Sequence, residues 1–331
     1  MNPPVVRIVT PARSDANNGN WRTAQRWAGF LRDEYAVILQ AADAPWPGAA
    51  AGALIALHAT RSHDAIRRWR ETGPRKPVIL ILTGTDLYRD LPRNELARES
   101  LRMADRLVVL QRQALRELPP ELRAKACAIH QSAKLFPERA RPGNRLNCIF
   151  VGHLRDEKDP MTAVRAWQYL PRHLPITLTL VGDALDERLA RAVRAAQGKD
   201  SRLRWLGAMP HEWTLRAIQR THLLVNSSRM EGGAHVVAEA VRAAAPVLAS
   251  RMPGNVGMLG RSYPGYFEVG DSRALAQLLR DCLQRQTLYG ELLRQTLRMR
   301  GLFAPGRERA AVRRLVAKVL GEHKIRSMED L

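Results

Sequence analysis

Two glutamates and two glycines in one short stretch are the residues best suited to chemistry. Glu231 is followed directly by Gly232 and Gly233, and Glu239 comes eight residues after Glu231. Glycine lets the backbone approach a ligand closely, because no Cβ stands in the way. Where a helix begins, its unpaired N–H groups and its dipole favour an anion. If a helix starts after the glycines, this stretch is predicted to bind a phosphate group.

The residues around the glutamates predict a strand, a loop and a helix. An apolar run at 223–225 ends in Asn226, and an Ala- and Val-rich segment follows the glycines until Pro246 stops it. Glu239 would lie about two turns into the helix, where its carboxylate can accept hydrogen bonds from a ribose diol. Glu231 would lie in the loop, near a sugar attached to the phosphate. Either glutamate alone could be a surface carboxylate, so the prediction of a nucleotide-sugar site rests on the combination.

Two cations follow another predicted strand end, at Gly152. These are Arg155 and Lys158, in the loop GHLRDEKDP. A leaving nucleoside diphosphate gains negative charge as its bond to the sugar breaks, so fixed cations stabilise the transition state more than the ground state. The alternative is that both are solvated loop charges beside Asp156 and Glu157. The sequence has no D-x-D carboxylate pair, so we expect no metal and no other cofactor at this site.

These motifs together resemble the donor site of retaining GT-B glycosyltransferases of the family-four type. The run RWLG, which contains Leu206 and Gly207, matches the backbone that pairs with the base in those enzymes, although an ordinary β-to-α turn has the same sequence features. The resemblance implies catalytic roles for Arg155, Lys158 and Glu231. It implies donor binding by Gly152, Leu206, Gly207, Gly232, Gly233 and Glu239.

Short apolar runs alternate with helix-like segments along the chain. This alternation predicts parallel sheets with helices on both faces. It is interrupted by the Pro-, Arg- and Gly-rich run FPERARPGNR, which has the composition of a linker. We therefore predict an α/β fold of the GT-B type, with two Rossmann-like doubly wound domains and a cleft between them. The predicted parts are an acceptor domain at 1–143, a donor domain at 144–300 and a helical segment at 301–331 that crosses back to the first domain.

Strand ends in the first half supply candidates for binding the acceptor. Many relatives carry a histidine where this chain has Gly84, Thr85 and Asp86. A hydroxyl acceptor often needs a base or a polar guide, whereas an acceptor that is already an anion needs cations. Each candidate taken singly could equally be a packed, capping or surface residue. The main candidates are Asn18, Gly19, Asn20, His58, Arg61, Thr85, Asp86 and Lys134, and the further ones are Arg13, Arg22, His63 and His130.

A narrower resemblance runs over essentially the whole chain. It rests on TGTDLYRDL, ADRLVVLQ, VGHLRDEKDP, EGGAHVVAEA, PVLASRMPGNVGMLG and YPGYFEVGD. Together these segments resemble the selenosugar synthases of selenoneine biosynthesis, the family called SenB. That family joins selenophosphate to the sugar of a UDP-sugar, chiefly UDP-N-acetylglucosamine, and forms a carbon–selenium bond. The resemblance implies a transferase whose acceptor is a small selenium anion.

Two other functions stay open at this point. A glycosyltransferase could act on a lipid or polyol at a membrane face, since the first half is basic. A non-catalytic protein could bind a nucleotide or nucleic acid. A dehydrogenase is disfavoured, because the first βα loop lacks G-x-G-x-x-G.

Composition narrows the classes of partner. The formal charge is +21, but the basic residues are spread over both halves and form no basic tail, so we expect small anionic substrates rather than nucleic acid. No apolar run of about 18 residues occurs, so we expect no membrane span and no stable membrane association. The N-terminus lacks the pattern of a signal peptide, which predicts a cytoplasmic protein. The scattered Cys127, Cys148 and Cys282 favour neither disulfides nor zinc. No protein partner can be inferred.

Overall fold

The computed structural model describes residues 3–11, 19–46, 52–138 and 143–329. The chain forms two compact units. Unit 1 comprises Met1–Gln131 with Pro305–Leu331, and unit 2 comprises Ser132–Ala304. The units therefore change at 131 and 304, whereas the sequence predicted boundaries at 143 and 300.

Both units are built on a parallel sheet. Within the described residues, each sheet has six strands. The strands are β1 (Val5–Thr10), β2 (Ala36–Ala41), β3 (Ala53–Leu57), β4 (Val78–Leu82), β5 (Arg106–Val109), β6 (Ala126–Ala128), β7 (Leu146–Val151), β8 (Ile176–Val181), β9 (Leu203–Trp205), β10 (Leu223–Asn226), β11 (Val247–Ser250) and β12 (Tyr266–Phe267).

Helices connect the strands and cover the sheets. The α-helices are α1 (Gly19–Leu31), α2 (His63–Glu71), α3 (Glu95–Met103), α4 (Pro160–Gln168), α5 (Glu187–Lys199), α6 (His211–Arg220), α7 (His235–Arg242), α8 (Pro253–Leu259), α9 (Ser272–Gln284), α10 (Gln286–Met299) and α11 (Pro305–Glu329). Short 3₁₀ and π segments add single turns, among them a π turn at Asp86–Asp90 and a 3₁₀ turn at Asp156–Lys158.

The strand order creates one switch point in each sheet. The orders are β2-β1-β3-β4-β5-β6 in unit 1 and β12-β11-β10-β7-β8-β9 in unit 2, and all recorded pairs are parallel. The chain leaves its first strand in one direction and returns to the other side, so the switch points lie at β1/β3 and β7/β10. Open α/β sheets bind ligands outside the carboxyl ends of such neighbouring strands. The predicted class, two Rossmann-like doubly wound sheets, is confirmed.

The central strands are apolar throughout because helices cover both faces of the sheet. Every residue of β3 and β4 is buried. The apolar runs at 53–57 and 78–82 in the sequence predict these two strands with the bounds that the structure has, and the run at 176–181 does so for β8. In unit 2 one hydrophobic core includes the central strands, α4, α7 and α9.

Helix α11 belongs to unit 1 and packs on α1. Glu308 of α11 is almost fully buried and accepts hydrogen bonds from Arg26 Nε, at 2.8 Å, and from Trp27 Nε1, at 2.9 Å. Val312 and Val316 join the same core as Trp27. A buried carboxylate paired with an arginine and apolar contacts on one face fix the helix on the unit.

Several predicted bounds were wrong at helix ends. The sequence predicts a helix at 100–104, but this helix starts earlier, at Glu95, because Asn94 caps it by accepting from the Leu96 N–H. Helix α7 ends at Arg242, before the predicted stop at Pro246. The predicted break at Pro305 falls earlier, in the 3₁₀ turn Arg300–Phe303, and Pro305 is the first residue of α11, a position that suits proline.

Candidate active site

Two loops at the β7/β10 switch point are joined by hydrogen bonds. The Arg229 N–H donates to the Glu157 carbonyl at 2.8 Å, and Ser227 Oγ donates to the Asp159 carbonyl at 2.8 Å. The Asp159 carboxylate is buried and receives Arg229 Nε at 3.1 Å. It also caps α4 through the Thr162 N–H. The loop with the predicted cations and the loop with the first glutamate therefore form one platform.

Lys158 and Glu231 meet on this platform. Lys158 Nζ binds Glu231 Oε1, and Ser228 Oγ donates to the same oxygen at 2.7 Å. The lysine stem lies over Gly152, where an added Cβ would stand 3.3 Å from Lys158 Cδ. Both charged side chains keep some exposure, 17% for Lys158 and 11% for Glu231. An ammonium has three donors, so Lys158 can hold Glu231 and an anion together.

Arg155, the second predicted cation, lies in the same loop as Lys158. Its side chain is 40% exposed, and its Nε lies 3.9 Å from Glu157 Oε2, too far for a hydrogen bond. Among the described residues Arg155 Nε has no hydrogen-bond partner. The guanidinium therefore has Glu157 as a distant ion-pair neighbour, and no hydrogen bond fixes its Nε.

Gly232 and Gly233 lead directly into helix α7, as predicted. The N-cap residue of α7 is Ala234, and no side chain caps it. Alanine cannot supply the oxygen that Ser, Thr, Asp or Asn would offer to the first N–H groups of a helix. The N-terminus of α7 therefore presents N–H groups next to a glycine pair.

Glu239 is buried in α7 and is held by two histidines that the sequence did not predict. His211 Nε2 lies 2.6 Å and His235 Nδ1 lies 3.2 Å from Glu239 Oε1. Burial alone would raise the pKa of Glu239, but His235 and His211 together lower it to about 2. The carboxylate is therefore ionised. It lies four residues after the start of α7, one turn rather than the predicted two, because the helix begins only at His235.

Helix α8 was missed by the sequence prediction, and it packs against the Glu231 loop. An added Cβ at Gly254 would stand 2.2 Å from the Glu231 carbonyl oxygen, so only glycine fits there. Met252 caps this helix through its sulfur, which accepts from the Gly254 N–H. The Asn255 amide donates to the Ser250 carbonyl at 2.9 Å. The first glutamate is thus supported from β11 and α8 as well as from β7.

Leu206 and Gly207 lie in the turn after β9. The Leu206 N–H donates to the Leu180 carbonyl, and the Gly207 carbonyl accepts from the Gly182 N–H at 2.8 Å. Gly207 has φ of 71°, which favours glycine. Both residues are partly exposed, so their backbone is reachable at the strand end.

His58, Arg61 and Thr85 come together in unit 1. His58 has φ of 72°, a left-handed conformation that few residues other than glycine adopt. Its Nδ1 accepts from the Arg61 N–H at 3.3 Å, and its Nε2 lies 3.1 Å from Thr85 Oγ1. Because Nδ1 is the acceptor, the ring proton sits on Nε2 and is donated to Thr85. Burial lowers the pKa of His58, which favours this neutral form. The Arg61 side chain is exposed.

Asp86 is enclosed in unit 1. Its carboxylate accepts from the Ala59 N–H at 3.0 Å, from the Thr83 N–H at 2.9 Å and from the Gly84 N–H at 2.7 Å, and it is fully buried. These bonds tie the loop after β3 to the loop after β4. A carboxylate with its oxygens committed to backbone donors is a structural anchor.

The other acceptor candidates that the structure describes belong to other elements. Gly19 and Asn20 form the first residues of α1, whereas Asn18 and Arg13 lie outside the described residues. Lys134 is exposed with its Nζ over the Phe136 ring, and it belongs to unit 2, not to the first unit as predicted. His63 is buried against Ser100. Arg22 lies in α1 and His130 just beyond β6.

Comparison with known families assigns the chain. A model of the family described as "Glycosyl transferases group 1" matches residues 131–298, just over half of the chain. The chain is a group 1 glycosyltransferase. The matched region contains β7 to β12 and therefore all residues of the platform, together with Glu239 and its histidines.

Solved structures share the fold of this glycosyltransferase. HepE from Anabaena, in complex with UDP and glucose, is 14% identical over 96% of this chain and 99% of that chain, with a TM-score of 0.73. Sucrose-phosphate synthase from Thermosynechococcus elongatus is 15% identical over 97% and 100%, with a TM-score of 0.81. A glycosyltransferase from Rickettsia africae is 13% identical over 98% and 99%, with a TM-score of 0.74. The GT-B fold class is thereby confirmed.

Metal-binding clusters and membrane-spanning helices are both absent from the part of the glycosyltransferase that the structure describes. No group of three or more His, Cys, Asp or Glu side chains there could hold a metal ion. None of the helices described has the length and apolar character to cross a membrane.

Proposed function

We propose that this glycosyltransferase transfers the sugar of a UDP-sugar, UDP-N-acetylglucosamine, to selenophosphate and forms a carbon–selenium bond. The observation that supports the donor half best is the contact of Lys158 with Glu231 on two joined loops at a switch point. HepE, which shares the fold, has been crystallised with UDP-glucose. The narrower acceptor assignment rests on the sequence resemblance to selenosugar synthases.

The donor would lie along unit 2. The ribose diol binds Glu239, and the diphosphate meets the N–H groups after Gly233. Glu231 positions the sugar. The base meets the backbone of Leu206 and Gly207 after β9.

Lys158 and Arg155 neutralise the leaving group. As the bond from the anomeric carbon to the diphosphate oxygen breaks, UDP departs with the bonding electrons and gains charge. Both cations are fixed at the strand end before this happens, so they stabilise the transition state without reorganising. The Arg155 side chain is 40% exposed, so part of its guanidinium can be reached by the leaving group. We propose that these residues act without a metal or another cofactor.

Selenophosphate attacks the anomeric carbon through selenium. The carbon–selenium bond forms while the carbon–oxygen bond to UDP breaks. Attack of water on phosphorus then breaks the selenium–phosphorus bond, which releases inorganic phosphate and leaves selenium on the sugar. The acceptor is already an anion, so no base is required.

The enclosure of Asp86 supports an acceptor that needs no base. Asp86 is fully buried with its carboxylate bonded to three backbone N–H groups, so a substrate hydroxyl cannot reach it. His58 also donates its ring proton, to Thr85. Because Thr85 accepts from His58, its own hydroxyl hydrogen is left to donate to a bound anion. We therefore assign Thr85 and the exposed Arg61 to the binding of the selenium anion.

The test is a direct assay. The protein is mixed with UDP-N-acetylglucosamine and selenophosphate, and UDP and a selenium-containing sugar are measured by mass spectrometry. Orthophosphate in place of selenophosphate is the matched control, and EDTA should leave the rate unchanged. UDP release that ignores selenophosphate would overturn the acceptor and keep the donor. No UDP release with any acceptor, together with no binding of UDP, would overturn the whole proposal.

A further inference from the structure

The carboxylate proposed to hold the ribose is already occupied by two histidines in this structure. His211 and His235 converge on one oxygen of Glu239, Oε1, from two helices, α6 and α7. A ribose presents two neighbouring hydroxyls and would use both carboxylate oxygens. Because each carboxylate oxygen has about two acceptor positions, the two histidines fill those of Oε1, and a hydroxyl that binds this oxygen competes with them.

His235 is fixed at both ends. Its Nε2 lies 2.9 Å from the Ser132 carbonyl oxygen, and its Nδ1 lies 3.2 Å from Glu239 Oε1. A carbonyl oxygen and an ionised carboxylate can only accept, so both ring nitrogens must donate for both bonds to form. Only the imidazolium form has two N–H groups. His235 is therefore a tether between the segment at Ser132 and the carboxylate on its own helix.

His211 differs from His235 in position and exposure. It is the first residue of α6, and a third of its side chain is exposed, against about a fifth for His235. Its ring reaches the buried carboxylate from outside α7. Rotation of an exposed side chain at a helix start needs no change in the core, whereas moving His235 would break two bonds at once.

We propose that His235 is a positioning residue that orients Glu239 toward the ribose, and that His211 occupies the ribose position on Glu239 in the free protein. When the nucleotide binds, its ribose displaces the His211 side chain from Glu239. This inference rests on the donor half of the proposed function. In the free protein, His211 keeps the buried carboxylate compensated. On binding, the ribose hydroxyls take over its hydrogen bond, and His235 keeps Glu239 ionised and in place.

The two histidines should then affect UDP binding in opposite directions. His235→Gln keeps a donor of similar reach but removes the charge and one of the two bonds, so we expect UDP to bind about tenfold more weakly. His211→Ala removes the competitor, so we expect UDP to bind roughly threefold to tenfold more tightly. Isothermal titration with UDP measures both. His173→Gln, in an exposed turn before β8, is the control and should not change the dissociation constant.

A nucleotide that lacks both ribose hydroxyls tests whether these hydroxyls replace the bond from His211 to Glu239. 2′,3′-Dideoxyuridine diphosphate cannot replace the His211 bond, so the gain from His211→Ala should disappear with this probe. A gain of the same size for both nucleotides, or weaker UDP binding by His211→Ala, would overturn the inference. If His235→Gln fails to fold, as thermal melting would show, the titrations of His211→Ala with the two nucleotides still test the inference.

The outcome also separates this inference from the proposed function. Wild-type protein that binds no UDP contradicts both. Wild-type protein that binds UDP, with both histidine variants binding it equally well, contradicts the roles of both histidines and leaves the donor site in place.

Discussion

The two units of this glycosyltransferase use the charged residues at their strand ends differently. In unit 1, Asp86 is fully buried and bonds to backbone N–H groups. In unit 2, Lys158 and Glu231 bond to each other and keep partial exposure. Glu239 is buried, but its partners His211 and His235 are side chains that reach the surface.

If unit 2 binds the donor as proposed, the difference separates a structural carboxylate from a ligand-binding one. Backbone donors are fixed by the fold, so the charge of Asp86 is consumed in holding two loops together. Side-chain donors can turn toward a ligand, so the charges of Lys158 and Glu231 can be shared. Position at a strand end is common to both regions and does not distinguish them.

The largest expected effect is on kcat, from removing the positive charge of Lys158 in unit 2. Lys158→Gln should lower kcat for UDP release by about 10³-fold, because the fixed charge opposite the leaving diphosphate is lost. The thermal midpoint should also fall, because Glu231 is only 11% exposed and loses its ion-pair partner, so kcat is measured at a temperature at which the variant is folded. Steady-state kinetics with coupled UDP detection measures the rate. Lys199→Gln, exposed at the end of α5, is the matched control; equal rates for the two variants would contradict the unit 2 assignment.

The corresponding change in unit 1 should affect stability instead. Asp86→Asn places an NH₂ group among backbone donors and should lower the free energy of unfolding by about 3 kcal/mol. UDP binding to unit 2 should stay unchanged. Denaturant unfolding and UDP titration measure the two quantities. Asp64→Asn, on the exposed side of α2, is the control, and a weakened UDP affinity in Asp86→Asn would break the contrast between the units.

A third prediction concerns Glu239 and pH. Its pKa is about 2 in the folded protein against 4.5 as the ordinary value. A depressed pKa gives stability that is fully present above about 4.5 and is lost as the pH falls toward 2. The difference in free energy of unfolding between wild type and Glu239→Gln should therefore shrink by about 2 kcal/mol from pH 5 to pH 3. Denaturant melts at both pH values test this, and a constant difference would contradict it.

The smallest effect should come from Gly152. An added Cβ there meets only the flexible stem of Lys158, at 3.3 Å, so Gly152→Ala should shift the lysine by a few tenths of an ångström. We expect kcat to fall about threefold, which is under 1 kcal/mol, with no loss of stability. Gly198→Ala, in α5 with open space around it, should leave kcat unchanged. A fall in kcat for both would show that the effect is unrelated to Lys158.

Much of the scaffold could be predicted from the sequence because burial on both faces leaves a clear pattern. The runs at 53–57, 78–82 and 176–181 are strands with the bounds that the structure has. Helix α8 left no such pattern, since PGNVGML contains two glycines and an asparagine. Its glycine at 254 is required by the Glu231 carbonyl, which is a contact that only the folded chain creates.

The candidate site was predictable in part. Glu231, Glu239 and Lys158 follow from a motif, whereas the contact of Lys158 with Glu231 joins residues far apart in sequence. His235 could have been found, because His235 and Glu239 are spaced i,i+4 on one helix. His211 could not, since it reaches Glu239 from another helix and no local spacing connects the two.

The packing of α11 on α1 has a consequence for biosynthesis. Unit 2 is a single continuous segment, but unit 1 needs residues from both sides of it. A ribosome releases Gln131 long before Glu308, so α1 emerges without the carboxylate that holds Arg26 and Trp27. During translation, unit 1 therefore keeps an uncovered apolar face until the segment from Pro305 onward has been made. Unit 2, although it is synthesised later, can complete its core before unit 1 does.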